Sequence, residues 1–105
     1  VVNVEGREEG GNEDTALHVA AEGGHMECLK LLLTEGADME TKASRGWTVL
    51  HIAALRGHEK VVECLIEKGA DLEAEDEWGR TPLMCAKETG HDPCAELLQA
   101  AMNRK

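Results

Sequence analysis

Five histidines and four cysteines are the residues of this 105-residue chain best suited to chemistry. Imidazole can serve as a base or a metal ligand near neutral pH, and a thiolate as a nucleophile or a soft ligand. Two arrangements therefore need weighing: a thiol-imidazole pair drawn from His18, His51, Cys28 and Cys64, and a ligand group made of Cys85, His91 and Cys94. The ligand group offers three candidates and lacks the paired spacing of a structural zinc site. The thiol-imidazole pair meets a different objection, because its histidines recur. TALHVAA begins at Thr15, TVLHIAA at Thr48 and TPLMCAK at Thr81, each 33 residues after the last, and His25, His58 and His91 follow Gly24, Gly57 and Gly90 in the same register. A nucleophile, its base and its orienting group are assembled once, at one site, whereas these residues repeat with the chain and report its scaffold. No catalytic, cofactor-binding or metal-binding residue is assigned, and the chain is not expected to be an enzyme.

The elements that carry these residues follow from the same register. Thr15, Thr48 and Thr81 are suited to cap a helix N-terminus, and Pro82 stands at the first helical position after one of them. Gly23-Gly24, Gly57 and Gly90 suit left-handed caps, so each first helix is short, from Ala16 to about Glu22 in the first unit. In the second helix Val61, Val62, Leu65 and Ile66 form an apolar stripe and Glu59, Glu63 and Glu67 a solvated one. The segments from Gly36 to Thr48 and from Gly69 to Thr81 lack helical periodicity and read as connectors.

A 33-residue unit opening with Thr-Pro-Leu-His-x-Ala, with Gly-His between its helices and Gly-Ala-Asp closing the second, resembles the ankyrin repeat. The resemblance implies an all-α solenoid of helix-turn-helix units joined by extended finger loops, divided at about 14–46, 47–79 and 80–102, after an irregular segment or partial finger at 1–13. It also implies that Thr15 with His18, and Thr48 with His51, hydrogen-bond each other and neighbouring loops. Val2-Asn3-Val4 resembles a displaced finger tip, among Gly6, Gly10 and Gly11, which leaves room for a preceding repeat. The family's hydroxylatable finger Asn is replaced by Glu40 and Glu73, so that modification is not expected here. Met84, Lys87 and Gln99 depart from the repeat in the direction of a polar terminal cap.

Composition adds limits. A formal net charge of −10 argues against nucleic acid or an anionic membrane as partner, since both attract clustered Lys and Arg. No run is long and apolar enough to span a bilayer, and Gly10-Gly11 and Gly23-Gly24 lack the setting of a phosphate-binding loop. Cys28, Cys64, Cys85 and Cys94 all replace apolar residues in the register, so all four are expected to be buried, reduced and inert, as in a reducing compartment. An intracellular monomer, cytoplasmic or nuclear, is expected.

The resemblance implies recognition of another protein or peptide segment through the concave side, where finger tips and first-helix ends are variable. The second unit supplies Lys42, Ser44, Arg45, Trp47, Leu55 and Arg56, and the third supplies Glu75, Glu77, Trp78, Arg80 and Glu88. Asn12, Asp14, Glu22, Gly23 and Thr89 lie at equivalent positions. Both tryptophans and three of the five arginines fall in this set, and these types dominate binding hot spots. An acidic, partly hydrophobic segment is the expected ligand. The alternative is a regulatory domain acting in cis within a larger enzyme or channel.

Overall fold

The computed structural model describes residues 13–104, apart from the side chains of residues 13–15 and Ser44. These residues form three helix pairs: α1 (Glu13–Gly23) with α2 (Met26–Thr34), α3 (Val49–Arg56) with α4 (Glu59–Glu67), and α5 (Pro82–Glu88) with α6 (Asp92–Asn103). α1, α3 and α5 stack in one layer, α2, α4 and α6 in a second. The expected all-α repeat architecture is present, with no strand among the described residues.

The register explains the core. Leu17 and Leu50 on the first helices, and Leu65 and Leu98 on the second, are fully buried in corresponding positions, as are Leu29 and Val62 one turn earlier in the second helices. Ala20, Ala21, Ala53 and Ala54 let neighbouring first helices approach closely, all of them buried. Val61, Val62 and Leu65 are buried and Glu59, Glu63 and Glu67 exposed, so the amphipathic stripe of α4 faces as its spacing requires.

Helix starts follow the caps in two units out of three. The Thr48 hydroxyl accepts from His51 N–H at 3.4 Å, while the His51 ring accepts from Thr48 N–H at 3.2 Å, a reciprocal capping box. Thr81 accepts from Met84 N–H at 3.3 Å, with Pro82 in the first turn. In the first unit the helix starts instead at Glu13, so Thr15 lies inside α1 and is not its cap. The reason is one residue. Gly46 and Gly79, with φ of 74° and 78°, turn the chain sharply before Thr48 and Thr81, whereas the corresponding position is Glu13, a good helix former that lets the helix run back.

Cys64, Cys85 and Cys94 are buried, but Cys28 is exposed, which corrects the expectation of four buried thiols. The side of the stack on which α4 covers α6 is uncovered by any described residue at α2, so the same register position is wet in the first unit. At the other end Met84, Lys87 and Gln99 are exposed. No helix among the described residues is long and apolar enough to cross a membrane. The finger-like Val2-Asn3-Val4, the glycines around it and Asn12 lie outside the described residues, as do the side chains of Asp14 and Thr15.

Candidate partner-binding surface

The two fingers between helix pairs share one backbone turn. Ala43 N–H donates to Trp47 O at 2.8 Å in the first, and Asp76 N–H to Arg80 O at 3.0 Å in the second. They also touch: Glu77 N–H donates to Arg45 O at 3.0 Å, Lys42 Nζ to Glu75 O at 2.9 Å, and Asp71 N–H to the Glu40 carboxylate at 2.8 Å.

Asp76 is the hub of this region, and it was not singled out by the sequence. Its buried carboxylate accepts four hydrogen bonds, from Trp78 N–H at 2.9 Å, Arg80 N–H at 2.8 Å, Arg80 Nε at 2.9 Å and Trp47 Nε1 at 3.0 Å. Burial opposes its ionisation, but the Arg80 N–H, the Trp47 indole, the Trp78 N–H and the Arg80 guanidinium together outweigh that and lower its pKa to about 2. The signal available in the sequence was Asp-Glu-Trp-Gly ahead of Thr81, an Asp placed to accept from the N–H two residues on.

The two tryptophans are brought to this one carboxylate and differ in role. Trp47 is half-buried against the core and gives its indole N–H to Asp76, with the Arg45 guanidinium 5.5 Å above its ring. Trp78 is 59% exposed. The Arg80 guanidinium lies 5.2 Å from its ring centre and also pairs with Asp76 at 2.9 Å and Glu88 at 2.7 Å. Trp78, Arg80 and Glu88 line an open groove of about 480 Å³.

The other expected contact residues divide by charge pairing. Arg56 joins α3 to α1 through Glu22 at 2.7 Å, and Leu55 beside it packs partly against the core. Lys42 and Arg45 form no salt bridge among the described residues, and Glu75 and Glu77 are exposed. Arg45 has φ of 65°, the one non-glycine residue with positive φ among those described.

The motif histidines hold fingers. His18 Nε2 donates to Thr41 O at 2.9 Å, and His51 Nε2 to Arg80 O at 2.8 Å, while His51 Nδ1 accepts from Thr48 N–H. Those bonds fix the Nε2–H tautomer of His51, and burial lowers its pKa. His25, His58 and His91 make no capping bond to their own helices; His58 Nε2 donates to Glu22 O of the preceding unit at 2.9 Å.

The stacked helix pairs, the paired fingers and the Thr-His caps agree with what comparison finds. A family model described as ankyrin repeats, in three copies, matches residues 2–76, and a single ankyrin-repeat model matches residues 78–104. The chain belongs to the ankyrin-repeat family. No curated protein gives a significant match. Ankyrin repeats are in general protein–protein interaction modules, without chemistry of their own.

The chemistry of the buried thiols suits that character. Burial pushes Cys85 up to about 11 and also raises Cys94, so neither thiol ionises readily near neutral pH. Among the described residues no three His, Cys, Asp or Glu side chains are grouped to hold a metal ion, the set Cys85, His91 and Cys94 included.

Proposed function

We propose that this ankyrin domain binds another protein through its finger tips and first-helix ends, with the Trp78 ring as anchor. The supporting observation is that an exposed indole sits in an open groove whose walls are already rigid. Arg80 is fixed between Asp76 and Glu88 and stacked over Trp78, so little side-chain freedom remains to be lost on binding. A ring presented in this way offers a large apolar contact area at low entropic cost.

The ligand is a peptide or loop carrying an apolar side chain and a carboxylate. The apolar group rests on Trp78. The carboxylate meets Lys42 and Arg45, whose charges no carboxylate of the described residues neutralises, whereas Arg56 and Arg80 are already paired. Glu75 and Glu77, exposed on the second finger, complete the rim.

Affinity capture from native lysate tests the reading, using the wild-type chain, the double variant Trp78→Ala/Arg45→Ala and the convex-face variant Glu63→Ala. A partner retained by wild type and Glu63→Ala and lost by the double variant supports it. A partner retained by the double variant and lost on Glu63→Ala contradicts it.

A further inference from the structure

One face of the first helix pair is built like an interior surface and is left open by the described residues. Position by position, Val19 corresponds to Ile52 and Cys85, and Leu31 to Cys64. Val19 is 45% exposed, against 8% for Ile52 and 0% for Cys85, and Leu31 is 61% exposed against 5% for Cys64. Cys28 is exposed where Val61 and Cys94 are buried. In the second unit these positions are buried, and in the third Cys85 and Cys94 are buried and Leu97, the equivalent of Leu31, partly so; each of those units has a helix pair packed before it.

A polar residue repeats the pattern. The rings of His58 and His91 lie against Gly24 and Gly57, in the turns of the preceding units, so closely that a Cβ there would collide with them. His58 also donates to the carbonyl of Glu22, two residues ahead of Gly24. His25 has the same place in the register, yet it is exposed and lies against Gly23 of its own unit. A face open merely by chance would not keep three apolar positions and the docking imidazole together.

We infer that the Val19, Cys28 and Leu31 face is a docking surface for one more helix pair of this repeat class, stacked in register ahead of α1 and α2, with His25 donating to a carbonyl in its inter-helix turn. The chemistry of the occupant follows from the two interfaces of the same kind already in the molecule. Its first helix carries alanines where Ala20, Ala21, Ala53 and Ala54 stand, and its turn carries a glycine that leaves room for an imidazole. The C-terminal face of a second copy does not fit, because Lys87 stands exposed there where Ala21 and Ala54 are buried, and docking would bury its charge without a carboxylate partner.

The test inserts a tandem copy of residues 14–46 between Glu13 and Asp14 of the full chain, with Cys28→Ser in the copy, so that the original Cys28 reports on the face. Alkylation of Cys28 should slow at least tenfold relative to the unmodified chain, and the unfolding midpoint should rise. Leu31→Glu in the original unit should abolish both effects, while leaving the midpoint of the 105-residue chain unchanged. Unchanged Cys28 reactivity in the extended chain would overturn the inference. So would protection of Cys28 that grows with concentration in the 105-residue chain, which would make a second copy the occupant.

Discussion

The two fingers occupy the same place in the repeat and hold their shape by different means. In the second finger the Asp76 carboxylate sits inside the turn and gathers the N–H groups of Trp78 and Arg80 around itself. The first finger has Ala43 at that position, so nothing inside its turn can do this, and Arg45 there takes a left-handed conformation. Its support comes from outside, through the Trp47 indole reaching across to Asp76 and through Glu77 N–H donating to Arg45 O. One buried carboxylate thus braces both fingers. The same asymmetry separates the tryptophans: the Trp47 indole is bonded into the brace, and the Trp78 ring is exposed, which makes it the anchor of the proposed surface.

The largest break in this comparison is Asp76→Ala, which strands several donors in both fingers and should cost about 3 kcal/mol in denaturant unfolding. The pH dependence carries the same signature. Asp76 is held at about 2 against an ordinary 3.8, so its contribution is complete above pH 3.8 and is lost as pH falls toward about 2. His51, also lowered, adds a loss that begins below its ordinary 6.5, since the native state resists the charged ring. Acid titration of stability should therefore be shallower between pH 4 and 2 in Asp76→Ala than in the wild type.

Next is His51→Ala, which removes the ring's bond to Arg80 O and the acceptor of Thr48 N–H together, at a cost of about 2 kcal/mol by chemical denaturation. Its effect should fall on the second finger, seen as faster amide exchange at Arg80 and Asp76 than at Thr41. Trp47→Phe keeps ring packing but removes the bond to Asp76, and should cost about 1 kcal/mol. Arg45→Gly is the smallest, a gain of about 0.5 kcal/mol in unfolding free energy from relief of the left-handed backbone. A loss on Arg45→Gly would show that stacking over Trp47 outweighs the backbone strain.

Much of the fold was legible because it is periodic. Thr48, Thr81 and the glycines before them recur with the repeat, and local capping chemistry places the helix ends. The start of α1 was misplaced because the capping Thr15 was read without its missing glycine at position 13. Cys28 was misread because register gives a position in the unit and says nothing of whether a neighbour covers it. Asp76 was missed for a different reason: among 21 acidic residues its turn signal points to no more than a bond to the N–H of Trp78, and the long-range bond from Trp47 that makes it a hub shows only in three dimensions. The difference between the half-buried Trp47 and the exposed Trp78 was not legible, since both are tryptophans on corresponding fingers and only their surroundings separate them.

The division of the two tryptophans is tested most directly by measuring, for Trp78→Ala, both the unfolding free energy and the affinity for a partner captured by the wild-type chain. Stability should stay within about 0.5 kcal/mol of wild type, as for an exposed side chain, while affinity falls by about 2 kcal/mol, close to thirtyfold. Unchanged affinity, or a loss of affinity matched by an equal loss of stability, would contradict the account.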